Sequence, residues 1–156
     1  MTLPHVTLVV PARYASSRFP GKPLAELRGA SGISRSLIER SWRAATGVKG
    51  VARVLVATDD RRIADAAAGF GAEVMMTSAN CRNGTERCAE VAAATPDTGI
   101  IVNLQGDAPL TPPWFVEALI AAMSAGEQIQ VATPVLRCNG AALNGFLEDR
   151  SKEQAA

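Results

Sequence analysis

Short β-like runs alternate with helix-like segments along this chain, and the alternation predicts an α/β fold in which helices sandwich a mostly parallel sheet. Two further observations point the same way. The strand candidates are nearly continuous apolar runs, as expected of strands covered on both faces. The helix candidates carry apolar residues at i, i+4 and i+7, the stripe of a helix packed on one side. In order, Val6–Val10 (VTLVV) is β-branched and stops at Pro11. The segment Ser34–Thr46 places Ile38, Trp42 and Ala45 on one helical face. Val51–Thr58 (VARVLVAT) reads as a strand that ends at Asp59. Ile63, Ala67 and Phe70 stripe the next helix, with Asp59 or Asp60 suited to its N-cap and Gly71 to its end. Glu73–Met76 is a weaker strand. Asn83-Gly84-Thr85-Glu86 has capping-box spacing, with Asn in place of Ser or Thr, ahead of Cys88, Val91 and Ala92. Gly99–Leu104 (GIIVNL) is a strand, and Thr111-Pro112 opens a helix striped by Phe115, Leu119 and Ala122. Val131–Leu136 (VATPVL) reads as a last strand, and Leu143, Phe146 and Leu147 suit one more short packed helix. The expected organisation is one domain over residues 1–147 followed by a polar tail, 148–156, that frays.

Composition narrows the function. The chain has 156 residues, 16 basic and 15 acidic, so its net charge is +1. That balance, without runs of like charge, argues against a nucleic-acid binder led by phosphate contacts. No stretch approaches the ~18 uninterrupted apolar residues of a membrane span, and the N-terminus lacks the basic region of a signal peptide. Cys81, Cys88 and Cys138 are odd in number and form no C-x-x-C, which disfavours a disulfide framework or zinc site and suits a cytoplasmic protein. His5 is the only histidine, so a Ser-His-Asp triad or multi-His metal site has no basis. Any chemistry must use carboxylates, Arg, Lys, backbone N–H groups or a metal. Cys88, Trp42 and Trp114 read as packing residues, and His5 as a strand-edge residue.

Four polar segments sit at strand-to-helix junctions, where ligands of parallel sheets bind. The first, Pro11–Leu24 (PARYASSRFPGKPL), carries Arg13, Arg18 and Lys22, no acidic residue, and small residues that leave backbone N–H groups open. It suits a polyphosphate, although an ordinary basic surface loop has the same composition. It is no Walker A loop, since Gly21-Lys22 is followed by Pro23. The second, Gln105-Gly106-Asp107, offers a carboxylate of the kind that holds Mg²⁺ against a phosphate; a turn aspartate looks the same. Thr58-Asp59-Asp60 and Arg82–Arg87 are the third and fourth, and helix capping alone accounts for either.

Taken together and in order, PARYASSRFPGKPL, VATDD, MTSANCRNGTERCAEV and VNLQGDAPL resemble the 3-deoxy-manno-octulosonate cytidylyltransferases, the CMP-Kdo synthetases of lipopolysaccharide precursor synthesis. The resemblance runs from about Val6 to Leu136. It implies a nucleotidyltransferase fold of GT-A-like type and a cytoplasmic, Mg²⁺-dependent enzyme that transfers CMP from CTP to a Kdo-like sugar acid and releases pyrophosphate. It implies that Arg13 and Lys22 bind the triphosphate, helped by Ser17 and Arg18. Pro11 and Ala12 would approach the cytidine, with Asn83, Gly84 and Thr85 on its other side. Gln105 would face the sugar acid, and Asp107 would hold Mg²⁺. Three features depart from the family pattern. Arg28–Ser36 (RGASGISRS) is longer than the usual turn, Asn83 replaces a serine, and the family's C-terminal part has no counterpart here. The alternatives are a non-catalytic CTP-binding module needing a partner chain, or a related nucleotidyltransferase for another sugar acid or sugar phosphate. Apolar surface left by a shortened fold favours a homo-oligomer.

Overall fold

The structure, a computed structural model, describes residues 5–15, 19–125, 129–135 and 137–154. Four parallel strands form its main sheet in the order β5-β4-β1-β6: β1 (Val6–Ala12), β4 (Arg53–Thr58), β5 (Glu73–Met76) and β6 (Ile100–Asn103). An antiparallel pair, β2 (Glu26–Arg28) and β3 (Ser34–Ser36), stands apart as a small hairpin. The helices are α1 (Leu37–Thr46), α2 (Arg61–Gly69), α3 (Gly84–Ala94), α4 (Pro113–Ala125) and α5 (Gly140–Gln154). No helix among the described residues is long and apolar enough to cross a membrane.

Every residue of β1 is buried, because the central strand has helices on both faces. Strand alternation divides its side chains between two cores. Leu8, Val10 and Ala12 join Val56, Ile38, Ala45, Ile63 and Ala67 on the face covered by α1 and α2. Val9 joins Leu55, Ala57, Cys88 and Val91 on the face covered by α3. This double coverage is why VTLVV is apolar without a break.

Pro11 lies inside this central strand, a position normally closed to proline because it cannot donate to the ladder. On the β6 side, pairing stops at Val9, whose carbonyl accepts from the Leu104 N–H at 3.0 Å. Backbone groups alternate in direction along a strand, so the donor missing at Pro11 faces that vacated side.

The helix ends follow their sequence signals. The Asp60 side chain caps α2 by accepting from the Arg62 N–H. At the other end the Gly71 and Ala72 N–H groups return to the carbonyls of Ala68 and Ala67, a Schellman closure. Asn83 caps α3 by accepting from the Glu86 N–H at 2.9 Å. The reciprocal half of the capping box is shifted by one residue: Glu86 accepts from the Arg82 N–H.

Several expectations need correction. The segment assigned to α1 from Ser34 begins with strand β3, and the helix starts at Leu37 with Ser36 as its cap. The long Arg28–Ser36 stretch is the hairpin, closed by the Gly29 N–H to the Ile33 carbonyl. Val131–Val135 forms no strand: its ends are 84% and 86% exposed, and Pro134 lacks a ladder donor; Leu136 lies outside the described residues. In α4 the inward positions are Val116 and Ile120, and Ala122 is exposed, so the buried stripe is rotated from Phe115, Leu119 and Ala122. Because α4 is apolar nearly all round, periodicity could not choose its face. Trp114 is 64% exposed and meets Phe115 edge-on instead of packing in the core. Leu143, Phe146 and Leu147 lie in α5 as expected, yet all three are exposed.

Candidate functional site

Strand order changes direction beside β1: β4 and β5 lie on one side and β6 on the other. A crevice must open beyond the carboxyl ends of β1 and β6, since the chain leaves these neighbours toward different helices. A cleft of about 330 Å³ occupies that position. Its lining brings together Pro11 and Ala12 at the end of β1 with Arg13 just beyond it, Gln105, Gly106 and Asp107 after β6, Asn83 and Gly84 at the start of α3, and Lys22. Arg13 and Asp107, 94 positions apart in the chain, therefore share one cavity. Thr85 is exposed on the first turn of α3 and does not line it. Ser17 and Arg18 lie outside the described residues.

Two glycines permit this convergence. A Cβ on Gly106 would lie 2.6 Å from the Pro11 carbonyl oxygen, closer than real Cβ atoms approach. Its absence lets the Asp107 loop rest on the end of β1. A Cβ on Gly84 would lie 3.0 Å from the Pro11 ring and 3.2 Å from Gln105 Oε1, so α3 begins against both segments. Hydrogen bonds hold the rest. The Arg13 guanidinium donates to the Arg82 carbonyl at 3.2 Å, tying the β1 loop to the approach of α3. The Gly21 N–H donates to the Tyr14 carbonyl at 2.9 Å and closes the neck of the loop that presents Lys22. Gln105 Nε2 donates to Asn103 Oδ1 at 3.0 Å. From α1, the buried Ser41 hydroxyl donates to the Gly106 carbonyl at 2.8 Å.

Lys22 Nζ lies 2.6 Å from Asp107 Oδ2, so these two residues form an ion pair across the cleft. Both side chains are about half exposed, at 45% and 51%. A pair this wet contributes little to stability and is free to exchange partners when a ligand arrives.

Sequence reading overlooked Pro23, Leu37 and above all Arg87. The Arg87 side chain is 3% exposed, lines the cleft, hydrogen-bonds Thr77 Oγ1, and lies 3.1 Å from Asp59 Oδ1. The Asp59 contact is an ion pair without hydrogen-bond geometry. Beside Cys88 and Val91, Arg87 falls on the buried side of α3, and a cation there requires a partner. Asp59, at the end of β4, was the available signal. Its neighbour Asp60 serves only as the α2 cap and as an ion-pair partner of Arg62. Cys88 is core, as expected, with burial pushing its thiol up to about 11.

The cleft thus presents Arg13, Lys22 and Arg87 against two carboxylates, Asp107 and the Asp59 that pairs with Arg87, beside the N-terminus of α3. Such an excess of positive charge suits a polyphosphate. The donor set also fits Mg²⁺. That ion takes one or two carboxylates and fills its remaining positions with water and phosphate oxygens. Asp107 supplies such a carboxylate at the cleft, and no denser cluster of three or more His, Cys, Asp or Glu occurs among the described residues.

Known proteins share this chain's sequence and fold. The chain is 50% identical over 132 residues to 3-deoxy-manno-octulosonate cytidylyltransferase of Maricaulis maris, covering 84% of this chain and 49% of the relative. It is 52% identical over 128 residues to the enzyme of the same name from Syntrophotalea carbinolica, covering 82% and 49%. Among solved structures, CMP:2-keto-3-deoxy-manno-octonic acid synthetase complexed with CTP superposes with a TM-score of 0.74 at 39% identity, over 80% of this chain and 49% of that one. The chain spans about half the length of the curated relatives it matches. A model of the cytidylyltransferase family matches residues 7–142. The chain belongs to the cytidylyltransferase family.

Proposed function

We propose that this chain binds CTP in the cleft between β1 and β6 and carries the nucleotide-binding half of a cytidylyltransferase acting on a Kdo-like sugar acid. The observation that carries this reading is the meeting of Arg13, Lys22, Asn83, Gly84, Gln105 and Asp107 in one cleft, in a chain similar to a synthetase solved with CTP. Arg13 and Lys22 bind the triphosphate and neutralise charge that grows on the leaving pyrophosphate. Arg87, fixed by Asp59 and Thr77, presents a rigid, paired guanidinium at the cleft wall. Pro11, Ala12 and the Asn83-Gly84 turn flank the cytidine, and Thr85, on the first turn of α3, as well as Ser17 and Arg18 assist in holding the nucleotide. Gln105, oriented by Asn103, faces the sugar acid. Asp107 holds Mg²⁺, which when bound polarises the α-phosphate. The sugar hydroxyl forms a new O–P bond at the α-phosphorus, the bond to the β-phosphate oxygen breaks, pyrophosphate leaves, and the hydroxyl proton passes to solvent. Positioning and charge neutralisation suffice, with no protein nucleophile. This chemistry belongs to lipopolysaccharide precursor synthesis in the cytoplasm.

A second reading is a CTP-binding module completed by another polypeptide or by a further copy of the chain. Among the described residues β6 pairs only with β1, leaving its other edge open, and Leu110, Trp114 and Phe146 are exposed. One experiment separates the readings: pyrophosphate release from CTP, Mg²⁺ and Kdo, run beside CTP-dependent thermal stabilisation. Release supports the enzyme. Stabilisation without release supports the module. Absence of both refutes the assignment of the cleft to CTP.

A further inference from the structure

The hairpin that lengthens the chain between Leu27 and Ser36 plays no part in the nucleotide cleft, yet it builds one wall of a second cleft. That cleft, about 600 Å³, is lined by Arg28 and Arg35 from the hairpin and by Arg40 and Arg43 from α1. Leu27 and Leu110 flank them. Four arginines in one concavity repel one another unless something neutralises them. Within the chain, neutralisation is incomplete. Glu39 faces Arg35 at 3.1 Å and Arg43 at 2.8 Å, in both cases through Nε. Glu26, two residues before Arg28 on β2, accepts from the Ser34 hydroxyl at 2.6 Å, so four positive charges less the Glu39 and Glu26 carboxylates leave a local excess of +2. Arg40 is spent on architecture: its Nη2 donates to the Leu27 and Ile33 carbonyls and staples the hairpin to α1, while its buried Nε has no hydrogen-bond partner. No ion-pair partner for Arg28 is found among the described residues.

We propose that this arginine cleft is a second anion site, for a small molecule carrying at least two phosphate groups. Guanidinium forks bind phosphate oxygens in pairs, and two phosphates match the uncompensated charge. Leu27 and Leu110 offer apolar contact to whatever links or carries the phosphates. The site is separate from the nucleotide cleft but mechanically joined to it. Leu110 follows Asp107 by three residues, and α1 places Leu37 on the nucleotide cleft, Arg40 and Arg43 on this one, and Ser41 on the Gly106 carbonyl between them.

Inorganic pyrophosphate is the probe, titrated calorimetrically without divalent metal. The full chain carrying Arg13→Ala and Lys22→Ala, which disables the nucleotide cleft, is expected to bind one pyrophosphate. Adding Arg28→Gln and Arg35→Gln is expected to weaken that binding at least about tenfold, since each charged hydrogen bond lost is worth a factor of that order. Arg28→Lys with Arg35→Lys, which keeps charge and removes the forks, is expected to fall between. In the otherwise unaltered chain, Arg28→Gln and Arg35→Gln should leave thermal stabilisation by CTP unchanged. Loss of pyrophosphate binding on the Arg13→Ala, Lys22→Ala background overturns the proposal, and so does binding indifferent to the hairpin arginines. If the double substitution destabilises the hairpin, Arg28→Gln alone gives the same test, because Arg28 holds no ion pair there.

Discussion

Gly106→Ala tests the claim that the site exists because two backbones touch. The added methyl would sit 2.6 Å from the Pro11 carbonyl oxygen and 3.3 Å from Ile38 Cδ1. Both neighbours are confined: Pro11 is locked in the central strand, and Ile38 is fully buried. Restoring an ordinary contact of ~3.4 Å demands a displacement of about 0.8 Å, and overpacking of this kind costs roughly 1–3 kcal/mol. The reduced entropy of an unfolded alanine returns only about 0.4–1 kcal/mol. Net destabilisation of about 1–2 kcal/mol is therefore expected, read as a lower urea midpoint with unchanged slope. The loop that yields is the one bearing Asp107, so CTP affinity with Mg²⁺ should fall by more than stability alone explains; a misplacement near 1 Å can cost as much as ~100-fold in a positioned site. Gly69→Ala is the control. It lies at the end of α2 with open space around its Cβ, and should raise stability by about 0.5–1 kcal/mol. Gly106→Ala with the urea midpoint and CTP affinity of the parent would refute the close-approach reasoning.

Arg87→Met removes a buried cation from Asp59 and Thr77 and should cost about 3 kcal/mol in chemical denaturation, toward the low end for a broken buried pair because Asp59 keeps some solvent contact. A loss below that of an ordinary surface substitution would show that the pair is not structural. Asn83→Ala should cost about 1 kcal/mol through the lost α3 cap, whereas Asn83→Ser should be nearly neutral, and thermal melting of the two variants distinguishes them. The Asp60, Glu86 and Glu90 carboxyls are all held below their ordinary values: Asp60 by hydrogen bonds from Arg62, Glu86 by those from Arg82, and Glu90 by the Ser78 N–H and the Cys81 thiol. Depressed carboxylate pKa values contribute stability above the unfolded-state values and lose it as pH falls through the folded ones. The melting temperature should therefore be level above roughly pH 5 and decline below roughly pH 4, and a decline beginning near neutrality would contradict this.

Local signals carried much of this protein. Apolar runs marked β1, β4 and β6, capping residues marked the starts of α2 and α3, and the polar segments at the ends of β1 and β6 fall at the cleft between them. These features are legible because they depend on neighbours a few residues away: the period of a strand, the donor left free at a helix start, the turn that follows a strand. The tertiary structure decided the rest. It gave α4 its buried face, denied Val131–Val135 a strand partner, made Arg28–Ser36 a hairpin, and placed Arg87 inside against Asp59. Each of those outcomes is set by what lies across the fold. An apolar run becomes a strand only where a sheet edge receives it, and a charge goes inside only where its counter-charge waits 28 positions away.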